Sequence, residues 1–248
     1  MPGPLALVGS GEYLPVMLDV ERALLDAAVA TGRPRRYVQI PTAASLEGDE
    51  RMDWWVELGR AQAARMDALA VPVVVTSRDE ADDPALAALV TDAALVYLSG
   101  GNPGHLADTL RDTAVWHAVL DAWSHGAALA GCSAGAMALA ADVPDIRHPN
   151  GGGREGLSVT PQLRTLPHFD RWGGRLPDLL MRPIARGDDD TTVVGIDEDT
   201  ALVHGLGTPD GTWEVRGRQS AWLLRGGGRD EVPRGSTTQL PAPVIPPR

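Results

Sequence analysis

Residues 127–141 read Ala-Ala-Leu-Ala-Gly-Cys-Ser-Ala-Gly-Ala-Met-Ala-Leu-Ala-Ala, and this stretch decides the fold. The apolar run Ala127–Ala130 is typical of a short buried strand, and the alanine-rich run Ala134–Ala141 is typical of a helix. Between them, residues 131–135 match the G-x-S-x-G pattern of a nucleophile elbow. Its small residues allow the sharp turn that holds Ser133 strained and exposed at a strand end. The segment therefore predicts an α/β fold with a nucleophilic serine.

The same alternation of apolar runs and helix-period stretches extends back to the N-terminus. Continuous apolar strands separated by helices are typical of a parallel sheet that is covered on both faces, so we predict a three-layer sandwich with a mostly parallel central sheet. Helices are expected over about 15–30, 50–66 and 83–90, and two more between 105 and 124. The predicted strands are Leu5–Val8, Arg36–Ile40, Leu69–Val75, Ala94–Leu98 and Ala127–Ala130.

Beyond residue 142 the chain becomes richer in loops and then alternates short strands with turns. We predict a single domain over residues 1–225 and a Gly/Pro-rich tail, mobile or draped on the surface, over residues 226–248. The strands expected in this part are Leu157–Val159, Thr192–Ile196, Ala201–His204, Thr212–Val215 and Ala221–Leu224.

Composition excludes several classes of protein. The 248 residues carry a net charge of −11, which repels phosphate backbones and argues against nucleic acid as a partner. All 22 basic residues are arginine, so neither a Schiff-base lysine nor a Walker-type phosphate lysine is available. One cysteine excludes an internal disulfide framework and a multi-cysteine zinc site. Without a long apolar run or a positively charged leader, we expect a cytoplasmic protein with no membrane contact.

Ser133 is a better nucleophile candidate than its neighbour Cys132. A G-x-C-x-G elbow would need glycine at positions 130 and 134, and both are alanine. The glycines bracket Ser133 instead. We therefore expect Cys132 to be a buried small side chain that points back into the sheet.

A serine nucleophile needs a base and an oxyanion hole. Among the six histidines, His168 lies in a loop that could face the elbow and is the first candidate base, followed by His148. Ser99-Gly100-Gly101-Asn102 follows the fourth strand, where adjacent glycines let backbone N–H groups approach a ligand closely. The N–H of Ala134, at a helix start, is the other expected oxyanion donor.

These segments together resemble the aspartyl dipeptidase (peptidase E) and cyanophycinase family of serine peptidases. The resemblance rests on Ser99-Gly100-Gly101-Asn102, Gly131–Met137, Pro167-His168-Phe169-Asp170-Arg171 and Gly195–Leu202, and covers residues 4–225. It implies a class I glutamine amidotransferase-like (flavodoxin-like) fold, Ser133 as nucleophile and His168 as base. It also implies an oxyanion hole made by Gly101 and Ala134, and short peptides with an acidic residue as substrates.

The third member of the triad is open at this stage. By comparison with the dipeptidase branch we place it at Asp145, with Asp142 as the alternative. The cyanophycinase branch would instead use a glutamate, for which Glu155 is available. Asp197-Glu198-Asp199 is interpreted as a structural turn near the edge of the site and not as a metal site, because alternate strand residues face opposite sides.

The expected activity is hydrolysis of short peptides or related amides by a Ser-His-acid mechanism, with no cofactor and no metal. Arg171 and Arg175, beyond His168, are candidate clamps for a substrate carboxylate, and Asn102 is a further candidate for substrate binding. A small peptide is thus the expected partner, and a homodimer is compatible with the sequence. Two alternatives stay open: a non-catalytic glutamine amidotransferase-like binding or regulatory protein, and an esterase with the same elbow.

Overall fold

A computed structural model describes residues 1–144, 153–173, 191–225 and 228–247. Its elements follow in chain order. The helices are α1 (Leu18–Val29), α2 (Asp49–Arg65), α3 (Arg78–Ala81), α4 (Pro84–Val90), α5 (Pro103–Leu110), α6 (Ala114–Ser124), α7 (Ala134–Ala138) and α8 (Phe169–Trp172), with 3-10 helices at Pro15–Met17 and Thr42–Glu47. The first seven strands are β1 (Leu5–Val8), β2 (Arg36–Ile40), β3 (Leu69–Pro72), β4 (Leu95–Leu98), β5 (Ala128–Cys132), β6 (Asp142–Val143) and β7 (Arg154–Glu155). The remaining strands are β8 (Leu163–Leu166), β9 (Thr192–Ile196), β10 (Thr200–His204), β11 (Thr212–Gly217), β12 (Ala221–Arg225), β13 (Gly228–Val232) and β14 (Thr237–Gln239).

The central sheet has eight strands in the order β14-β11-β10-β1-β5-β4-β2-β3. The five strands from β1 to β3 in this order run parallel, and β10, β11 and β14 add antiparallel pairings on the other side of β1. The predicted α/β class with a mostly parallel central sheet is confirmed. The carboxyl ends of β1, β4 and β5 are neighbours, which brings the loops after residues 8, 98 and 132 to one edge.

Alternating residues of each parallel strand serve the two faces of the sheet. Leu5 and Leu7 of β1 belong to a core that contains residues of α4, α5, α6 and α7. Ala6 and Val8 belong to a second core, which contains residues of α1 and α2. Both faces are therefore covered, and this is why β1 reads as a continuous apolar run.

A second sheet, in the order β13-β12-β9-β8, packs against the first of these cores through residues such as Leu163 and Val194. Within it, β8 and β9 are parallel, with Leu166 opposite Gly195. Their carboxyl ends thus lie side by side, and the loops that follow both strands emerge at the same edge.

Two local predictions are wrong. The strand expected at Leu157–Val159 is not formed: Ser158 has a φ of 55°, which ends extended backbone, and the strand of this region is β8 instead. Residues 228–239 are not a free tail, since β13 pairs with β12 and β14 pairs with β11. Pro233 and Gly235 lie between these two edge strands, where Gly235 takes a φ of 79°.

Candidate active site

The strand-to-helix turn at Ser133 has the strained backbone of a nucleophile elbow. Ser133 has φ 49° and ψ −106°, a sparsely populated conformation for a residue other than glycine. Its N–H donates to the carbonyl oxygen of Val8 on β1 at 2.9 Å, and its own carbonyl accepts from Met137 in the first turn of α7 at 3.0 Å. Backbone bonds on both sides thus hold the strained conformation.

The two glycines of the motif are required by close packing. A Cβ on Gly131 would lie 2.6 Å from the backbone of Gly135, and a Cβ on Gly135 would lie 2.4 Å from the carbonyl oxygen of Leu98. Any side chain at either position would therefore push α7 away from β4 and β5. This spacing explains the G-x-S-x-G pattern physically.

Cys132 is buried, as the sequence predicted. Its side chain has no exposed surface, and its Sγ–H donates to Oε2 of Glu12 at 2.9 Å. Burial, with the nearby Glu12 carboxylate as the next cause, raises the pKa of the Cys132 thiol well above its ordinary value. The thiol is therefore held neutral, and the thiolate that a cysteine nucleophile needs is disfavoured.

His168 lies two residues beyond β8, in the left-handed backbone region with φ 51° and ψ 36°. The next residue, Phe169, is fully buried among Leu166, Val193 and Leu224. This aromatic anchor begins the short helix α8 and fixes the turn, so the imidazole is held above the end of the sheet.

Ser133, His168 and Glu198 form a hydrogen-bonded chain. Ser133 Oγ lies 3.0 Å from His168 Nε2, and His168 Nδ1 lies 2.9 Å from Glu198 Oε1. Glu198 follows β9 at the same distance as His168 follows β8, so the parallel register of these strands brings the two side chains together. This is the arrangement of a nucleophile, a base and the acid that orients the base.

Glu198 is itself held by three further groups. Arg171 Nε donates to Oε2 at 2.7 Å, Asp170 accepts the N–H of Glu198 at 2.9 Å, and Gln219 donates to its carbonyl oxygen at 2.9 Å. Burial would raise the pKa of Glu198, but the hydrogen bonds from His168 and Arg171 hold it below the ordinary value. The carboxylate is therefore ionised and oriented where it meets His168.

Glu198 belongs to the segment 197–199, which the sequence placed in a structural turn near the edge of the site, but its Oε1 lies 2.9 Å from His168 Nδ1 and so faces the site. Alternation along a strand prevents three consecutive acids from facing one ligand, but it does not prevent one of them from facing the site. A sequence signal was present: an acid two residues past a strand, placed like His168 past its own strand. That signal can be interpreted only when the parallel pairing of β8 with β9 is known, because this pairing places the two positions side by side.

The other candidates for the acid are placed as follows. Asp145, the predicted acid, lies outside the described residues, as do the second candidate base His148 and the candidate clamp Arg175. Asp142 forms an ion pair with Arg164 at 3.2 Å, and Glu155 is an exposed residue of β7 that lies 3.5 Å from Arg111.

The loop after β4 contains the second predicted oxyanion donor. The N–H groups of Ser99, Gly100 and Asn102 donate to Ile40, Glu12 and Ala43 respectively, whereas that of Gly101 has no acceptor within the described ranges. Ala134 is the first residue of α7, where backbone N–H groups lack intrahelical partners. Both N–H groups are therefore available to a ligand.

The remaining predicted binding residues already have local partners. Asn102 caps α5, because its Oδ1 accepts the N–H of His105 at 2.9 Å. Arg171 is 65% exposed and bonds Glu198 through Nε. Their contact with substrate stays a prediction.

Two further properties bear on the class of site. In the part of the chain that the structure describes, no three His, Cys, Asp or Glu side chains are grouped so as to hold a metal ion. Within the same residues, no helix combines the length and the apolar character needed to cross a membrane.

A strained serine at a strand end, hydrogen-bonded to a histidine that is oriented by a carboxylate, defines the class of serine hydrolases built on an α/β sheet. The family model of peptidase family S51 matches residues 5–206. The chain belongs to this family and is a serine-type peptidase.

Solved structures agree with this assignment. The crystal structure of a peptidase from an acI-B1 Actinobacterium is 39% identical and superposes with a TM-score of 0.89, over 97% of this chain and 98% of that one. A candidate peptidase E from Listeria monocytogenes EGD-e shares the fold at 16% identity, with a TM-score of 0.53 over 94% of this chain and 99% of that one. None of the curated proteins compared matches this chain.

Proposed function

We propose that the protein hydrolyses short peptides or related amides through an acyl-enzyme on Ser133, with His168 as general base and Glu198 as the acid that orients it. The observation that carries the proposal is the continuous chain of hydrogen bonds at 3.0 Å and 2.9 Å through the two nitrogens of His168. A carboxylate on Nδ1 fixes the tautomer in which Nε2 is free to accept the serine proton.

In the first half of the reaction Ser133 Oγ attacks the carbonyl carbon, and His168 Nε2 takes the hydroxyl proton. The negative charge that forms on the carbonyl oxygen is received by the N–H groups of Gly101 and Ala134. As the C–N bond breaks, His168 returns the proton to the leaving amine. Water, deprotonated by the same histidine, then hydrolyses the ester to regenerate Ser133.

Glu198 acts on His168 without contacting the substrate. When His168 carries the proton, the ionised carboxylate stabilises the imidazolium, and Arg171 keeps that carboxylate ionised and in place.

We propose, on the sequence grounds given above, that the protein works in the cytoplasm. Preference for an acidic residue, with Arg171 or Arg175 as its clamp, stays a prediction.

The test combines covalent labelling with turnover. A fluorophosphonate should label Ser133, as mapped by mass spectrometry, and Ser133→Ala should abolish both labelling and peptide hydrolysis. Cys132→Ala is the matched control, because it changes the adjacent buried residue, and it should stay within a few-fold of wild type.

The substrate panel pairs Asp-X, Asn-X, Glu-X, Ala-X and β-aspartyl-arginine dipeptides with a p-nitrophenyl ester. Ester hydrolysis without cleavage of any peptide would favour the esterase alternative. An unlabelled Ser133 in a folded protein would favour a non-catalytic binding protein.

A further inference from the structure

The loop that carries the Gly101 N–H group is held from its buried side by the loop after β1. The hydroxyl oxygen of Tyr13 lies 2.5 Å from Ser99 Oγ, and both side chains are almost completely buried. The residue before Tyr13, Glu12, accepts the N–H of Gly100 at 3.0 Å through Oε1. Two consecutive residues of one loop therefore fix two consecutive residues of the other, immediately before Gly101.

The direction of the hydrogen bond between Tyr13 and Ser99 follows from the partners of Gln39. The side-chain NH₂ group of Gln39 donates to the carbonyl oxygen of Trp55 at 2.7 Å and to the hydroxyl oxygen of Tyr13 at 2.9 Å. Because the Tyr13 hydroxyl accepts from Gln39, its own hydrogen is left to donate to Ser99 Oγ. Burial raises the pKa of Tyr13 well above its ordinary value, so the hydroxyl keeps this hydrogen.

Tyr13 is itself fixed through both its main chain and its ring. Its φ of 64° lies in the left-handed region, which a bulky residue seldom adopts. Its carbonyl oxygen accepts from Arg65 at 3.1 Å, and its ring packs edge-on against that of Trp55, with centroids 5.9 Å apart. The Tyr13 hydroxyl is therefore a fixed point to which Ser99 is tied.

The far side of the same loop is fixed by the backbone after β2. The N–H of Asn102 donates to the carbonyl oxygen of Ala43 at 2.7 Å, whereas the N–H of Gly101 has no acceptor in the described part of the chain. A Cβ built on Gly100 would lie 3.6 Å from Ser133 Cβ, so the loop borders the nucleophile. Hydrogen bonds on both sides of Gly101 thus leave its own N–H group free next to Ser133.

We propose that Tyr13 is a positioning residue for the reaction, which holds the Gly101 N–H group in place for the oxyanion through its hydrogen bond to Ser99. A donor that is already oriented stabilises the developing charge without reorganisation, so a loosened loop loses part of that stabilisation. Tyr13 is only 2% exposed and acts through Ser99 without contacting the substrate. The inference rests on the proposed function, because it takes Ser133 as nucleophile and Gly101 as oxyanion donor.

The test uses Tyr13→Phe, which removes the hydroxyl and keeps the ring. Labelling of Ser133 by a fluorophosphonate is followed over a range of reagent concentrations, because the phosphonyl oxygen of the reagent enters the oxyanion hole. The limiting rate of labelling should fall about tenfold or more, whereas the concentration that gives half of that rate should stay within about twofold. For any peptide that is hydrolysed, kcat should fall in the same proportion with KM unchanged.

Tyr37→Phe is the matched control, because it removes the same hydroxyl from an equally buried tyrosine. The Tyr37 hydroxyl donates to Glu21 Oε2 at 2.9 Å, a group outside the oxyanion loop, so labelling should stay at the wild-type rate. Ser99→Ala removes the other partner of the proposed bond and should slow labelling as much as Tyr13→Phe does, with no further loss in the double variant. Thermal unfolding checks that every variant is folded at the assay temperature.

Amide hydrogen exchange tests the bracing of the loop without any reaction. The bonded N–H groups of Gly100 and Asn102 should exchange about fivefold faster or more in Tyr13→Phe, and at the wild-type rate in Tyr37→Phe. Unchanged exchange in Tyr13→Phe, or equally slowed labelling in Tyr37→Phe, would overturn the proposal.

Labelling of the wild type separates this proposal from the proposed function. A folded wild-type protein that is not labelled would refute the proposed function and, with it, the role of Tyr13. Labelling of the wild type and of Tyr13→Phe at the same rate would refute the role of Tyr13 alone.

Discussion

Replacing Glu198 by glutamine tests the acid of the triad with almost no change in volume. In the wild type two donors face the carboxylate, His168 Nδ1–H on one oxygen and Arg171 Nε–H on the other. Glutamine offers one acceptor oxygen and one NH₂ group. It can satisfy only one of the two donors, and it carries no charge to stabilise a protonated His168.

The magnitude follows from which donor the amide satisfies. If its oxygen faces His168, the exposed Arg171 turns away and the loss is that of a charge-assisted hydrogen bond, about 1.5–3 kcal/mol, or roughly 10- to 150-fold in rate. If its NH₂ group faces His168, the ring is forced into the tautomer whose Nε2 cannot accept the serine proton. The corresponding carboxylate-to-amide change in the well-studied serine triad lowers kcat about 10⁴-fold.

We therefore expect Glu198→Gln to lower kcat between about 10- and 10⁴-fold. The assay combines kcat on the best peptide of the panel with the rate of fluorophosphonate labelling, and thermal unfolding shows whether the fold is kept. Asp142→Asn and Glu155→Gln are matched controls with expected rates near wild type. A wild-type rate for Glu198→Gln, or a large loss in Asp145→Asn instead, would refute the assignment of the acid to Glu198.

Three further predictions concern other parts of the structure. Gly101→Ala should lower kcat by 10²-fold or more, while fluorophosphonate labelling still maps to Ser133. Gly101 has a φ of 137°, and a Cβ there would lie 2.3 Å from the carbonyl oxygen of Ala43, so the substitution should displace the N–H of residue 101. A wild-type kcat would exclude this N–H from the oxyanion hole. Arg171→Ala should reduce kcat less than tenfold, because Arg171 braces Glu198 from an exposed position, and should raise KM more for acidic than for neutral peptides; equal KM changes for both would remove Arg171 from the candidate clamps. Burial raises the pKa of Glu21 from 4.5 to about 7, which means that the folded protein holds the proton on this carboxyl more tightly than the unfolded chain does. The favourable free energy of folding from the protonated Glu21 is therefore fully present below pH 4.5 and is lost as the pH rises through 7. Glu21→Gln should remove this loss, about 3 kcal/mol, from the pH dependence of urea unfolding, and parallel curves for wild type and variant would contradict it.

Much of the fold and two of the three members of the candidate triad, Ser133 and His168, could be predicted from the sequence. The limits of β1 and β2 and the Asp83 cap of α4 were readable because apolar runs and capping residues act within a few positions. Ser133 was identifiable for the same reason, since the strained turn requires glycine at 131 and 135 within five residues.

The acid partner of His168 depended on tertiary structure. Glu198 is 30 residues from His168 in the chain, and the two meet only because β8 and β9 pair in parallel, so that the positions just beyond both strands coincide. The role of residues 228–239 depended on it as well, because edge strands are defined by the strands that they pair with and not by their own composition. Local chemistry thus singled out the candidate nucleophile, whereas strand pairing decided which carboxylate lies beside the candidate base.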